Sequence, residues 1–181
     1  MPLFHFLNKL SYQYINSCFG FVLSNYFCIF AKTYKSMCLH LKKGEEVIKV
    51  SKGNITCYKV LLRSTINGDY HTPVQGYPIG HNVVDGSAEL YAIGPRNVGV
   101  GYNLFGPETV VKGGFIHTYA TKKDLNDCIE FTRRIFNNAA LSYEAFKCVI
   151  PKGTEYYKGM DDLKRKSYAS HCIRFVKKIN V

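Results

Sequence analysis

Residues 121–140 read TKKDLNDCIEFTRRIFNNAA, and this stretch decides the fold that the sequence predicts. Thr121, followed three residues later by Asp124, is typical of a helix N-cap. The apolar or small residues recur at intervals of three and four, which places them on one face of a helix. They are Leu125, Cys128, Ile129, Thr132, Ile135, Phe136, Ala139 and Ala140. We therefore predict one long amphipathic helix over 122–140.

Strand patterns lie on both sides of this helix. Residues 115–119 are rich in β-forming side chains. Over 146–150, Phe146, Cys148 and Ile150 alternate with Lys147 and Val149, and over 170–179, Ile173, Phe175 and Ile179 alternate with Arg174 and Lys178. A Pro-Lys-Gly-Thr turn occupies 151–154, and glycine and proline are concentrated over 65–112. The expected fold class is α+β: a mostly antiparallel sheet packed on the one long amphipathic helix, with glycine-rich loops and short strands in the middle.

The composition indicates a folded, basic domain. The chain has 181 residues and is 46% hydrophobic, so it can bury one core without disulfide or metal support. Lys and Arg outnumber Asp and Glu by 24 to 13, which gives a net charge of +11. Such an excess favours anionic partners: nucleic acid, nucleotides or an acidic membrane surface.

Cysteine usage and motifs give no sign of a metal or a reaction. The seven cysteines form no C-x-x-C pair and no Cys/His spacing typical of zinc, so we expect no metal and no cofactor. No P-loop, G-x-S-x-G or H-E-x-x-H motif occurs, so no catalytic residue is assigned. Cys128, Cys148 and Cys172 fall on predicted apolar faces, where free thiols pack as small hydrophobes. Free thiols indicate a reducing compartment, and we expect a cytoplasmic protein.

Residues 1–36 differ from the rest of the chain, since they contain neither Asp nor Glu and are rich in Phe and Tyr. Three interpretations stay open: a membrane anchor or signal, an aromatic helix packed on the domain, and upstream sequence translated outside the native protein. A genuine anchor would make the protein membrane-bound. We treat 37–56 as a polar lead-in and 57–181 as a single α+β domain, and we expect that 1–36 can be removed without loss of folding.

Two groups of residues are candidates for contact with an anion. His117 lies on a predicted strand directly before the helix N-terminus, where backbone N–H groups favour negative charge; the alternative is a partly buried histidine bonded to a backbone carbonyl. Basic residues alternate with tyrosines near the C-terminus, as on surfaces that bind single-stranded nucleic acid, although a solvated basic rim has the same composition. The nucleic-acid candidates are Lys164, Arg165, Lys166, Lys177 and Lys178.

Four segments carry a resemblance to a known group of proteins. They are YKV at 58–60, GFIHTY at 114–119, KCVIPKGTEYYKG at 147–159 and YAS at 168–170. In this order they resemble small uncharacterised proteins of gut bacteria and their tailed phages. The resemblance covers roughly 57–179 and implies a phage or mobile-element protein in the host cytoplasm, without a particular activity.

A looser similarity is to the ADP-ribosyltransferase fold, in which an early strand carries Arg or His and a Gly-aromatic strand precedes a helix. This similarity implies a nucleotide site with the candidates Arg63, His117, Tyr119 and Tyr157. No carboxylate stands in a recognisable late catalytic motif. The sequence therefore predicts a small basic accessory domain that binds a nucleotide or nucleic acid; the alternative is an ADP-ribosyltransferase-like enzyme, degenerate in its catalytic carboxylate.

Overall fold

The computed structural model describes residues 39–42, 47–73, 78–92, 98–103, 106–111, 114–135 and 141–181. All of these residues belong to one compact unit, Ser36–Val181. The predicted segment 1–36 lies outside the described residues, and so does the predicted last turn of the helix at 136–140.

Within these residues, thirteen strands pair into one antiparallel sheet. The strands are β1 (Leu39–Leu41), β2 (Lys49–Val50), β3 (Ile55–Ser64), β4 (Tyr70–His71), β5 (Pro78–Ile79), β6 (Glu89–Tyr91), β7 (Val98–Asn103), β8 (Gly106–Val111), β9 (Ile116–Tyr119), β10 (Leu141–Ile150), β11 (Glu155–Met160), β12 (Lys166–Ser170) and β13 (Cys172–Ile179). Two helices accompany them in the described ranges, α1 (His81–Val84) and α2 (Lys122–Ile135). Neither of these helices has the length and apolar character that a membrane crossing requires.

Neighbouring strands of the sheet are mostly distant in sequence. Along the main path the order is β6-β13-β10-β3-β9-β12-β11-β1-β8-β7, while β2 pairs with β11, and β4 joins β5 to β3. The longest ladder joins β3 to β10 over ten residue pairs. By contrast, β3 and β9 meet at a single pair, Tyr58 opposite Tyr119, and then separate.

Alternate residues of a strand point to opposite sides, so the sheet has two faces. On the first face, Phe146 and Phe175 pack edge to face with ring centroids 5.4 Å apart, in a core that also contains Val84 of α1. The second face carries two smaller clusters. One of them includes Phe115 and Tyr157, and the other lies under α2.

Helix α2 packs its apolar side on the second face. Its buried side chains lie against Val60 and Ala145 of the sheet; they are Leu125, Cys128 and Ile129. The helix begins where the N-cap pattern indicates, because Thr121 Oγ1 accepts the N–H of Asp124 at 3.1 Å. The cap satisfies one of the backbone donors that a helix N-terminus leaves without a partner in the helix.

The predicted fold class, α+β built on one long amphipathic helix, is wrong. Most of the described residues are in strands, whereas α2 is described over 14 residues, Lys122–Ile135. The reason is that the glycine-rich middle, predicted as loops and short strands, joins the sheet as β4 to β8. Of these strands, β6 and β8 pair with β13 and β1, which are distant in sequence, and local composition does not reveal such pairing. The sheet organises the chain, and α2 covers part of one of its faces.

The segment 37–56, predicted as a polar lead-in, contributes strands to the sheet. β1 lies between β8 and β11, and its residues Leu39 and Leu41 are almost completely buried. The approach is closest at Gly159 of β11, where any side-chain carbon would collide with the carbonyl oxygen of His40. The described domain therefore starts well before residue 57.

Candidate nucleic-acid interface

The five predicted nucleic-acid residues lie in two separate places. Lys164, Arg165 and Lys166 stand at the start of β12, whereas Lys177 and Lys178 are near the end of β13. Three strands, β10, β3 and β9, lie between β13 and β12. At about 4.8 Å per strand, the two groups are about 19 Å apart across the sheet, so they do not form one surface.

Arg165 is a core residue. Its side chain is 6% exposed, and its Nε and Nη2 atoms each lie 2.5 Å from Oδ2 of Asp161. The guanidinium also lies over the ring of Tyr119, 5.4 Å from the centroid. The sequence predicts an exposed cation here, but the turn at 161–165 brings the Asp161 carboxylate onto Arg165, so that the charge is neutralised inside the protein.

Glu144 pairs with two other predicted residues, Lys178 and Arg63. Its Oε1 lies 2.8 Å from Lys178 Nζ and 3.5 Å from Arg63 Nη1, and its Oε2 accepts a 2.8 Å bond from the hydroxyl of Tyr70. Burial alone would raise the pKa of Glu144, but the bonds from Lys178 and Tyr70 and the charge of Arg63 outweigh it, so the pKa lies below its ordinary value. Lys178 and Arg63 therefore stabilise a buried carboxylate.

His117 lies beside a buried lysine that sequence analysis did not single out. Lys59 Nζ donates to the carbonyl oxygen of His117 at 2.9 Å, beside the point where β3 and β9 separate. Burial, and secondarily the charge of Lys59, lower the pKa of His117 to about 4, and burial lowers the pKa of Lys59 to about 8. His117 is therefore neutral at pH 7. The signal that could have identified Lys59 is a single lysine inside the apolar run 57–62.

The two tyrosine candidates belong to the core of the second face. Tyr119 is buried between Arg165 and α2, and Tyr157 packs edge to face on Phe115 with 5.4 Å between ring centroids. Arg63, the first candidate for a nucleotide site, is bonded to Glu144. No observation on the described residues favours the transferase alternative.

A different basic surface occupies the part of the second face that α2 leaves uncovered. Cross-strand register places Lys147 of β10 between Tyr58 of β3 and Lys177 of β13, and it places Val149 between Thr56 and Arg174. We call these six residues the basic face. Thr56, Arg174 and Lys177 are exposed, and the other three are half-buried.

The cations of the basic face are not fully compensated by the residues that the structure describes. Lys147 and Lys177 lie directly opposite each other, an arrangement of like charges that costs about 0.2–1 kcal/mol. Arg174 lies opposite Glu89 of β6, which offsets part of its charge without forming an ion pair with it. None of the three cations forms an ion pair with a described residue. The surface is therefore strongly positive.

A groove adjoins the basic face at the edge of the sheet, where β6 pairs with β13. It is open to solvent and has a volume of about 620 Å³. β6, the start of β13 and the turn at 151–154 form its walls, and its polar side chains include Glu89, Tyr91, Lys152, Glu155 and His171. We call this feature the edge groove.

The side chains of the edge groove are held by hydrogen bonds. Oε2 of Glu89 accepts a 2.9 Å bond from the hydroxyl of Tyr91 and a 3.4 Å bond from the thiol of Cys172. Burial and the bond to Glu89 raise the pKa of Cys172 to about 12, so the thiol is a donor and not a nucleophile at neutral pH. The rings of Tyr91 and His171 lie edge to face, 6.1 Å apart. Across the described residues, no three His, Cys, Asp or Glu side chains are arranged to hold a metal ion.

The signal for the basic face is present in the alternation of two strands. Lys147 alternates with Phe146 and Cys148, and Arg174 alternates with Ile173 and Phe175. This pattern indicates that both cations point away from the larger core, but it does not show that β10 and β13 are neighbours.

Comparisons with known protein families, with curated proteins and with solved structures find no match to this chain. The basic face and the edge groove are thus the features from which a function can be inferred.

Proposed function

We propose that the protein binds single-stranded nucleic acid on the basic face. The observation that supports this most strongly is the direct opposition of Lys147 and Lys177, with Arg174 on the same surface and no ion pair to a described residue. The folded protein keeps this pair at a cost in stability. A phosphate bound between the two side chains would replace their repulsion with charge-assisted hydrogen bonds.

The aromatic neighbours of these cations favour a single strand over a duplex. Tyr58 lies in the same cross-strand row as Lys147 and Lys177; it packs against the edge of the cluster under α2 and is half-buried, so part of the residue is open to solvent. Unpaired bases stack on such rings while lysines contact the phosphates, and each stacked base contributes about 1–3 kcal/mol. Bases inside a duplex are not available for this stacking.

Titration of a fluorescent oligothymidylate at several salt concentrations tests the proposal. Each phosphate contact to a single strand contributes about 0.7 to the slope of log affinity against log salt. The double variant Lys147→Gln/Lys177→Gln should therefore lower the slope by about 1.4 and weaken binding at low salt. Its far-ultraviolet circular dichroism should match that of the wild type, because neither side chain is part of the core, and its melting temperature should be equal or slightly higher, because the repulsion between the two lysines is removed.

A matched control is the double variant Lys158→Gln/Lys166→Gln, which makes the same charge change at exposed positions of β11 and β12. This variant should keep the wild-type slope to within the error of the titration. No binding of the wild type at low salt, or an equal loss in both double variants, would overturn the proposal. Tighter binding of a duplex of the same length, or of an acidic peptide, would assign the surface to another partner.

A further inference from the structure

We propose that the edge groove binds a guanine base, through hydrogen bonds to the carboxylate of Glu89, when a single strand lies on the basic face. This inference rests on the proposed function and adds a base preference to it. The groove and the basic face are continuous, because Arg174 of the basic face lies directly opposite Glu89 in the pairing of β13 with β6. One nucleotide chain can therefore place its phosphates on the cations and a base in the groove.

The carboxylate of Glu89 is held in a fixed orientation. Its Oε2 accepts bonds from Tyr91 at 2.9 Å and from Cys172 at 3.4 Å, while its Oε1 accepts no bond from a described residue. Two donors on one oxygen restrict rotation of the group and leave the other oxygen for a ligand. Each carboxylate oxygen has two lone-pair sites, so both sites of Oε1 stay available to a ligand.

The charge of the edge groove differs from that of the basic face. Two acidic residues, Glu89 and Glu155, line the groove together with one lysine, Lys152. Negative charge repels a phosphate, so the groove is unsuited to the backbone of the strand. It is suited to a group that donates hydrogen bonds, and in a nucleic acid such groups are on the bases.

Guanine is the base whose donors match a carboxylate best. Its Watson–Crick edge carries N1–H and the N2 amino group side by side, so a single carboxylate oxygen with two available lone-pair sites, here Oε1 of Glu89, can accept from both. Cytosine and adenine offer one amino group beside an acceptor nitrogen, and thymine or uracil offers one N–H between two carbonyls. A carboxylate therefore gains two bonds from guanine and at most one from each other base.

The edge groove also has the space and the ring that a base requires. Its volume of about 620 Å³ lies within the range of small-molecule sites. Tyr91 is 56% exposed, and its ring is held edge-on to His171 with 6.1 Å between centroids. An exposed tyrosine ring in a groove is a surface on which a base can stack.

Three oligonucleotides that differ at one position test this inference: oligothymidylate, the same strand with one central guanosine, and the same strand with inosine there, which lacks the N2 amino group. The wild type should bind the guanosine strand about tenfold more tightly than oligothymidylate, with the inosine strand in between. Glu89→Gln should abolish the preference. It should bind oligothymidylate as tightly as the wild type or more tightly, because a negative charge near the phosphates is lost.

Two further variants separate base reading from general effects. Tyr91→Phe keeps the ring but removes one bond to Glu89, so it should reduce the ratio between the affinities for the guanosine strand and for oligothymidylate. Glu130→Gln makes the same charge change as Glu89→Gln on the exposed side of α2, where Glu130 pairs with Arg134 at 3.6 Å. This control should keep the full preference.

The possible failures are distinguishable. Equal affinity of the wild type for all three strands, with the dependence on Lys147 and Lys177 retained, would overturn guanine reading and leave the proposed function standing. A loss of affinity for every strand in Glu89→Gln would show a structural role for this residue and would also overturn the inference. Absence of binding to any strand at low salt would overturn both proposals.

Discussion

The second face of the sheet contains two neighbouring regions that are built from the same three strands. One cross-strand row, which we call the covered row, lies under α2 and consists of Val60, Ala145 and Ile179. Two residues further along each strand, the row becomes Tyr58, Lys147 and Lys177. The difference shows that alternation along a strand determines on which face of the sheet a side chain lies. Whether that part of the face is core or surface depends on the cover provided by α2.

The largest effect is expected at Arg165, whose charge is enclosed inside the protein. Asp161→Ala removes the partner of Arg165 and leaves a buried, unpaired guanidinium, which should lower the free energy of unfolding by about 3–5 kcal/mol. Urea denaturation followed by circular dichroism measures this. Asp127→Ala, at an exposed position of α2, should stay within about 0.5 kcal/mol of the wild type. A similar small loss in both variants would show that the Asp161–Arg165 pair contributes little.

Shortening a side chain on the buried side of α2 should lower the free energy of unfolding by less than loss of the Asp161–Arg165 ion pair does. Leu125 is completely buried, so Leu125→Ala should lower the free energy of unfolding by about 3 kcal/mol. Val149→Ala shortens a half-buried side chain on the basic face and should cost less than about 1 kcal/mol. Equal losses in the two variants, measured by urea denaturation, would mean that the basic face is packed like the covered row and would break the comparison.

Acid should destabilise the protein through His117. Its pKa is about 4 in the folded protein and about 6.5 when unfolded, so the unfolded state binds more protons between these values. The contribution of His117 to the free energy of unfolding is complete above pH 6.5. It decreases as the pH falls, by about 2 kcal/mol between pH 7 and pH 5. His117→Gln lacks the titrating group and should show a correspondingly smaller decrease in urea denaturation over that interval. Identical pH profiles would contradict the buried, neutral state of His117.

The smallest expected effect has the opposite sign and concerns the basic face. Lys177→Glu replaces the like-charge pair with an opposite-charge pair across from Lys147, so it should raise the free energy of unfolding by about 0.5 kcal/mol. The same variant should lose most of its affinity for oligonucleotides. A destabilised Lys177→Glu protein would show that the two lysines do not repel each other in the folded state.

Local sequence patterns predicted one helix and several strands, but not which strands lie next to each other in the sheet. The runs at 115–119, 146–150 and 170–179 occur in the structure as strands, and α2 begins after Thr121. Strand β7, Val98–Asn103, was not predicted because its two glycines are typical of turns, although its partner β8 follows it closely in the chain. The pairings of β8 with β1 and of β6 with β13 join segments that are far apart in the chain, and they leave little trace in a local window.

The candidate site shows the same limit. Among the five predicted nucleic-acid residues, Lys177 lies on the basic face, but its neighbour Lys147 comes from β10, which is separated from β13 in the chain by β11 and β12. The burial of Arg165 had a local signal, since Asp161 precedes it by four residues across a short turn. The edge groove had none, because β6 and the turn at 151–154 meet only in the folded protein.

The order of strands in the sheet has a consequence for synthesis of the protein on the ribosome. Ile55 opens β3, and its partner Ile150 leaves the exit tunnel 95 residues later. The pairing of His40 of β1 with Met160 requires an even longer stretch of chain to be synthesised. The central ladder therefore cannot form until most of the nascent chain has emerged. A sheet with such high contact order should fold in milliseconds to seconds, slowly for a domain of this size. During that interval, unpaired strand edges are exposed to other chains, and chaperones that shield such edges should raise the yield of folded protein.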